Sequence, residues 1–271
     1  MHSNIRFNSL HLPPPNMKHG FIGFGNIAHA LHAGLQKNQD NTFKYISKST
    51  PNENLDAAKN IGDLAEWADV IWLCVKPQQA AEVLSELRGA DLSNTIVVSP
   101  IAGVKISTLQ ETLGTDMPLV RIMPNLALQY GHSVTAFCAS EMDDDVKKVY
   151  VALETMGIVL HLTEDKFDLF TALFGSGPAF LLRVLNVFQE QAIVLGISEQ
   201  EAASLVLTLL KGTTAYLGEN KEQSITELIA QVASKGGVTE AGLHYFDDHH
   251  IAQSFQDMIS IAKEQSARLG T

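Results

Sequence analysis

The sequence predicts an α/β protein in which a doubly wound parallel sheet is followed by an all-helical domain. Two observations predict this class. Short apolar runs alternate with segments of helical composition from Lys18 to about Leu162, and from about Glu164 onward the composition is helical throughout. Strands that are separated by helices form parallel sheets covered on both faces, so the first part is the predicted sheet domain.

The predicted strands are short runs rich in β-branched and aromatic residues. In chain order they are His19–Phe24, Phe43–Ser47, Val70–Val75, Thr95–Ser99, Leu119–Met123, Val134–Cys138 and Ile158–Leu162. The run from Val70 is apolar throughout, as a strand covered by helices on both faces requires.

The composition fits a folded protein with substantial cores and excludes two classes of protein. Of the 271 residues, 45% are hydrophobic and 18% are charged, which excludes a disordered or low-complexity chain. The formal net charge is −11 at pH 7. Because such a surface repels phosphate backbones, we expect no nucleic-acid partner.

A glycine fingerprint follows the first strand directly. Gly23, Gly25 and Ala28 have the G-x-G-x-x-A spacing, with Asn26 and Ile27 between them, and a helical segment comes next. The first glycine permits a tight turn, the second lets the backbone approach a pyrophosphate, and the small alanine allows the helix to pack closely on the strand. The first domain is therefore predicted to be Rossmann-like and to bind a dinucleotide.

The end of the second strand indicates which dinucleotide is bound. Enzymes that use NAD usually place a carboxylate there, on the ribose 2′-hydroxyl, whereas this chain has Ser47 and Lys48. Hydroxyl and ammonium groups suit a 2′-phosphate, so the sequence favours NADPH, with NADH possible. In the alternative interpretation, Lys48 is a solvated surface residue.

Two further strand ends are expected to line the same crevice. Val75, Lys76 and Pro77 follow the third long strand, and Ala102 lies just after the next strand. Ligands of open α/β sheets bind at the carboxyl ends of strands, so these residues are predicted to contact the cofactor. Each segment alone is also compatible with an ordinary strand exit.

The helical half is predicted to form a dimer interface. The segments Ala179–Leu195 and Ala202–Leu217 are apolar around most of their circumference. A helix of this kind needs partners on every side, and a small domain offers too few, although an internal core is the alternative. Pro178 suits a helix start, and Ser198 with Glu201 has the spacing of a capping box. The stretch Phe167–Leu195 is broken by polar residues and is expected to be a buried helix rather than a membrane span.

The predicted domains are residues 17–162 for the dinucleotide-binding part and 163–271 for the helical part. Residues 1–16 look like a loose extension without the apolar region of a secretory signal. Cys74 and Cys138 are far apart in the chain and form no metal or redox motif, so we expect a reduced, cytoplasmic protein. No metal site is expected, because His29 and His32 lack an acidic partner.

Several motifs in both halves resemble the pyrroline-5-carboxylate reductase family. They are Val75–Pro77, Met123–Asn125, Asp168–Phe180 with its Gly-Ser-Gly-Pro-Ala block, and Gln231–Thr239. The resemblance covers the chain from about Met17 to the C-terminus in family order. It implies an NAD(P)H-dependent reductase of a cyclic imine, with a helical domain that interlocks with a second subunit.

The resemblance also implies roles for individual residues. Thr239 would hydrogen-bond the ring nitrogen of the substrate, and Glu164 matches an acidic residue of the pocket, so both are predicted to be catalytic. The substrate would be bound at Gly236, Gly237, Val238 and Ser176. Gln231 would lie near the cofactor, and Asn60 would approach its adenosine end.

Alternatives remain at two points. Thr239 could be the N-cap of the helix that follows it. Lys235 and Val238 depart from the family loop, and His132 stands where the family often has Glu. Reduction of another imino acid or a 2-hydroxy acid therefore stays open, as does a non-catalytic NADPH-binding regulator.

Overall fold

A computed structural model describes residues 16–48, 55–114 and 117–269 of the chain. The predicted extension at residues 1–16 lies outside this part except for Asn16. The described residues form two compact units, one that extends to Ser176 and includes Ser260 onward, and one that comprises Gly177–Ile259.

The first unit contains the sheet. Its strands are β1 Lys18–Ile22, β2 Thr42–Ile46, β3 Asp56–Ala57, β4 Val70–Leu73, β5 Ile96–Ser99, β6 Leu119–Met123, β7 Ser133–Ala139 and β8 Gly157–His161. The strand order is β3-β2-β1-β4-β5-β6-β7-β8, and every neighbouring pair is parallel except β6 with β7. All seven predicted strands are confirmed, and the doubly wound, Rossmann-like fold with them.

Two details of the sheet differ from the prediction. The two-residue strand β3 is exposed and polar at Asp56, so it has no apolar run by which to find it. The antiparallel pairing arises because only residues 124–132 join β6 to β7. A parallel crossover needs about a dozen residues or more, so this short connection returns the chain in the opposite direction.

Helices cover both faces of the sheet. They are α1 Asn26–Leu35, α2 Ile61–Trp67, α3 Ala80–Leu87, α4 Ile106–Leu113 and α5 Asp144–Glu154. One buried cluster includes residues of α1 and α5, and a second includes residues of α2, α3 and α4. The two cores lie on opposite faces because successive side chains of a strand alternate, as Ile71 and Trp72 of β4 do.

After β8 the described chain is helical, as predicted. The helices are α6 Phe167–Phe170, a π-helical turn at Thr171–Gly175, α7 Gly177–Val194, α8 Glu199–Glu219, α9 Ile225–Val232, α10 Val238–Asp248 and α11 Ile251–Arg268. Pro178 lies in the first turn of α7, and Ser198 is the N-cap of α8 and accepts from the Glu201 N–H. A full capping box, which the sequence interpretation missed, joins Ser224 and Glu227 at the start of α9.

The prediction of a buried helix over Phe167–Leu195 is wrong for the single chain. The π-helical turn interrupts the segment, and α7 has no buried residue among Gly177–Val194. Leu181 and Leu182 are each 65% exposed. The helical stretch Glu164–Val194 is long and apolar enough to cross a bilayer, but length and composition alone are weak evidence for that.

Candidate functional site

A cleft of about 450 Å³ opens at the carboxyl ends of β1, β2 and β4. The strand order reverses between β1 and β4, and ligands of open α/β sheets bind at such a point. The cleft is lined by six residues that the sequence predicts as cofactor-binding: Gly23, Gly25, Ser47, Lys48, Val75 and Lys76.

The backbone of the fingerprint is shaped for close approach by a ligand. Gly23 has φ +82°, and a Cβ there would lie 2.6 Å from the Cys74 carbonyl oxygen, so only glycine fits. Gly25 is the N-cap of α1, and a Cβ there would meet nothing within 4 Å. The first N–H groups of a helix lack acceptors within the helix, so this turn can hold a pyrophosphate.

The three residues after Gly25 open α1 and do not line the cleft. Asn26 and Ile27 begin the helix, and Ala28 is fully buried in the core beneath it. Its small side chain lets the helix pack on the sheet, which is the role that the fingerprint predicts.

Both cationic and anionic side chains line the cleft. Ser47 and Lys48 extend the end of β2, where the described chain has no carboxylate, and Lys48 is exposed. Glu82 and Glu86 of α3 also line the cleft, together with Gln79 and Val83. The sequence interpretation missed these four residues, although their helical spacing after the β4 exit gives the signal.

The other predicted cofactor residues of this unit do not line the cleft. Asn60 is the N-cap of α2 and accepts from the Asp63 N–H at 2.8 Å, while its neighbour Ile61 lines the cleft. Pro77 opens a 3₁₀ turn directly after Lys76. Ala102 lies in the loop after β5.

Two free cysteines belong to this unit, and Cys74 lines the cleft. Burial raises the pKa of Cys74 well above its usual range, so its thiol stays protonated. Among the described residues, no group of three or more His, Cys, Asp or Glu side chains could hold a metal ion.

Ser176 follows a π-helical turn, a distortion that often marks functional positions. Its N–H donates to the Thr171 carbonyl at 2.8 Å. The Asn125 side chain donates to the Phe174 carbonyl at 3.0 Å and accepts from the Ala127 N–H at 3.0 Å. Asn125 thus links the end of β6 to the Gly-Ser-Gly-Pro block, and both belong to the family motifs of the sequence.

Glu164 lies outside the cleft and is engaged by other groups of the protein. Its Oε1 accepts from Arg121 Nη1 at 2.8 Å and from the Ile106 N–H at 3.0 Å. Arg121 is only 2% exposed, and Glu164 is 24% exposed. The structure therefore places this predicted catalytic carboxylate in a partly buried ion pair.

The predicted substrate loop belongs to the second unit. Gly236 has φ +71°, and a Cβ on Gly237 would lie 2.5 Å from Ser234 Oγ, so both positions require glycine. Gly237 is the N-cap of α10, and Val238 is 94% exposed. The Gly237 N–H donates to the Ser234 carbonyl at 2.9 Å, within the turn itself.

The N–H of Gly236 already has an acceptor in this structure. It donates to Glu240 Oε2 at 2.6 Å. A substrate carboxylate that binds the same N–H would have to displace the Glu240 side chain. The sequence interpretation gave Glu240 no role.

Thr239 is exposed and occupies the second position of α10. The alternative in which it is the N-cap is wrong, because Gly237 holds that position. The hydroxyl of Thr239 therefore need not serve the helix terminus.

Gln231 is held within the second unit by both ends of its amide. Its Oε1 accepts from the Tyr216 hydroxyl at 2.6 Å, and its Nε2 donates to Gln223. These bonds join α9 to α8 and to the loop between them.

Comparison with known proteins identifies the family. A family model described as pyrroline-5-carboxylate reductase dimerisation matches residues 164–269. A second, described as NADP oxidoreductase coenzyme F420-dependent, matches residues 18–103. The pyrroline-5-carboxylate reductase of Staphylococcus epidermidis is 30% identical over 266 residues, which cover 93% of this chain and 98% of that protein. The chain belongs to the pyrroline-5-carboxylate reductase family.

Two solved structures of such reductases share the fold. The Plasmodium falciparum pyrroline carboxylate reductase, crystallised with NADP bound, has a TM-score of 0.88 at 26% identity, over 94% of this chain and 99% of that one. The Streptococcus pyogenes 1-pyrroline-5-carboxylate reductase has a TM-score of 0.85 at 27% identity, over 93% and 99%. The fold class and family predicted from the sequence are confirmed. The residues that line the cleft lie within the region that the NADP oxidoreductase model matches. Helices α7 to α11 lie within the dimerisation match, which contains no residue of the cleft.

Proposed function

We propose that the protein reduces the cyclic imine 1-pyrroline-5-carboxylate to L-proline with NADPH, as a step of proline biosynthesis. The observation that carries this proposal is the glycine-lined cleft at the strand-order reversal, in a chain whose helical part matches the dimerisation domain of the reductases. Membership of the family supplies the substrate class.

The cofactor is held by groups of the first unit. The Gly23–Gly25 turn and the first N–H groups of α1 bind the pyrophosphate, and Ser47 and Lys48 bind the 2′-phosphate. Val75, Lys76 and Pro77, with Asn60 and Ala102, flank the rest of the dinucleotide. When bound, NADPH supplies a hydride to the imine carbon.

The substrate is held by the second half of the chain. The loop of Gly236, Gly237 and Val238 contacts its carboxylate, which takes the Gly236 N–H in place of the Glu240 side chain, and Thr239 hydrogen-bonds its ring nitrogen. An alcohol is too weak an acid to protonate the nitrogen unaided, so the substrate is bound as the iminium and positioning provides much of the rate. We assign Ser176 to the substrate pocket and Gln231 to the cofactor side. The exposure of Thr239 and the glycine requirement of its loop support the roles of Thr239 and of that loop.

The helical half of the protein is proposed to form the contact between subunits. We propose a homodimer or higher homo-oligomer in which the apolar faces of α7 and α8 meet a second subunit, rather than lipid. The proposed domains are 17–162 and 163–271, supported by the end of β8 at His161 and by the dimerisation match from residue 164, while residues 163–176 and those from Ser260 onward pack with the first compact unit. We expect a cytoplasmic protein with no nucleic-acid partner.

A direct assay tests the reaction. Loss of NADPH absorbance should depend on both enzyme and 1-pyrroline-5-carboxylate, and proline should accumulate in equal amount. The enzyme has another substrate if no proline forms and NADPH is oxidised in the presence of a different cyclic imine. The same conclusion follows if a 2-oxo acid is reduced to a 2-hydroxy acid and no proline forms. Saturable NADPH binding with no turnover of any of these would indicate a non-catalytic regulator.

A further inference from the structure

One carboxylate oxygen of Glu164 joins three segments that are distant in sequence. Its Oε1 accepts from Ile106, 58 residues earlier, and from Arg121, 43 residues earlier. Ile106 is the first residue of α4, Arg121 lies on β6, and Glu164 begins the turn after β8. The contact therefore fixes the start of α4 against the sheet.

The Arg121 partner in this contact is buried. Its guanidinium lies 4.5 Å from the centre of the Phe167 ring and is 2% exposed. Its Nε has no hydrogen-bond partner among the described residues. A desolvated cation of this kind depends on the one carboxylate beside it, because breaking a buried pair leaves an uncompensated charge.

The Ile106 contact fixes the loop that precedes α4. Lys105, the N-cap of α4, makes no side-chain capping bond, so Glu164 supplies the anion and the acceptor at this helix start. The loop follows β5 at the carboxyl edge of the sheet, where Ile101 and Val104 are buried. Both ends of the loop are therefore fixed, with Ala102 and Gly103 between them.

We propose that Glu164 is a positioning residue that holds the Ala102–Gly103 loop against the nicotinamide side of the crevice, and that it donates no proton in the reaction. This inference rests on the proposed function, because it assigns the loop to the cofactor that the reductase uses. Its basis is the use of Oε1 for two donors and the position of Glu164 outside the cleft.

The first test is Glu164→Gln, with the exposed neighbour Asp165→Asn as control. We expect kcat to fall about 10- to 100-fold, since small displacements of aligned groups have effects of this size. The dissociation constant for NADPH should change less than about 3-fold, because the pyrophosphate turn is untouched. The shape of the kcat–pH profile should not change, and the Ile106 amide of the unliganded enzyme should exchange hydrogen faster. Loss of a limb of the pH profile would identify Glu164 as a proton donor and overturn the proposal, as would unchanged kcat.

A double variant separates positioning from stability. Arg121→Met with Glu164→Leu removes both charges, so the fold no longer contains an uncompensated cation. We expect its melting temperature to exceed that of Glu164→Gln, while kcat stays low and the Ile106 amide still exchanges rapidly. Recovery of kcat together with stability would show that Glu164 only stabilises the fold. If the parent enzyme fails to reduce 1-pyrroline-5-carboxylate, the proposed function fails, whereas the Ile106 exchange still decides whether Glu164 anchors the loop.

Discussion

At the scale of single residues, the hydroxyl of Thr239 distinguishes a catalytic role from a structural one. Thr239 is exposed and is not the N-cap of α10. Thr239→Val keeps the β-branched shape and removes the hydroxyl. We expect turnover to fall about 10- to 100-fold, the effect of one or two lost transition-state hydrogen bonds, with NADPH affinity almost unchanged.

The stability of the same variant provides the control. Because Thr239 does not cap the helix, the free energy of unfolding should change by no more than about 0.5 kcal/mol. Turnover, NADPH affinity and melting temperature are to be measured on one preparation. A variant with parental turnover would remove Thr239 from the mechanism.

Lys48 provides a second test at this scale, because it is the exposed cation at the end of β2. We expect the parent enzyme to have a lower KM for NADPH than for NADH. Lys48→Asp should narrow or invert this difference, since a carboxylate repels a 2′-phosphate and accepts from a ribose hydroxyl. Lys44→Asp, on β2 beside the Trp67 ring, is the control for a charge change near the site. Equal KM values for both cofactors in the parent would contradict the assignment of Lys48.

At the scale of secondary-structure elements, α7 and α8 expose several large apolar side chains. Leu181 and Leu182 of α7 are each 65% exposed, and Leu205 and Leu209 of α8 are 53% and 52% exposed. Contiguous apolar surface of this kind marks an interaction site. Because these helices lie within the match to the dimerisation domain, they are the elements expected to bury one another between subunits.

Charges on this surface test the role of the helices. Leu181→Lys combined with Leu182→Lys should shift the protein toward a monomer at micromolar concentration, because an interface core tolerates unpaired charges poorly. Sedimentation measures the mass, and Glu111→Lys on α4 controls for the added positive charge. A parent protein that sediments as a monomer would refute the interface, as would a double variant that keeps its oligomeric mass.

At the scale of the whole molecule, a histidine in the sheet core couples folding to pH. His19 of β1 is fully buried, and its Nδ1 accepts from Trp72 Nε1 at 3.1 Å. Burial lowers the pKa of His19 from 6.5 to about 4, with repulsion from His32 as a smaller cause in the same direction. The imidazole of His19 is therefore protonated near pH 6.5 in the unfolded chain, but only near pH 4 in the folded chain.

The lowered pKa of His19 makes the folded state less stable as the solution becomes more acidic. Between pH 6.5 and pH 4 the unfolded state holds more protons, so stability falls as the pH falls. The loss from His19 should reach about 3 kcal/mol near pH 4, at roughly 1.4 kcal/mol per pH unit. Denaturant unfolding at fixed protein concentration measures it. His19→Gln should flatten the slope, and an unchanged slope in that variant would contradict the prediction.

The sequence by itself determined the order of the elements and the nucleotide-binding turn. Both are local: the apolar runs mark strands, and the positive φ of Gly23 requires glycine in the turn itself. The family was also predictable, because the Gly-Ser-Gly-Pro block and the Gly236–Gly237 loop are continuous motifs. The sequence missed Glu82 and Glu86, which line the cleft from α3.

Only the tertiary structure decided which groups meet across long distances in sequence. No local pattern says that the Glu164 carboxylate accepts from Ile106 and Arg121. Nor does helical periodicity say whether the apolar face of α7 is covered by its own chain. These contacts depend on the shape of the packed sheet and on the length of its connections. The reason is that a buried charge or an apolar face is desolvated and paired only when segments from distant parts of the chain pack around it.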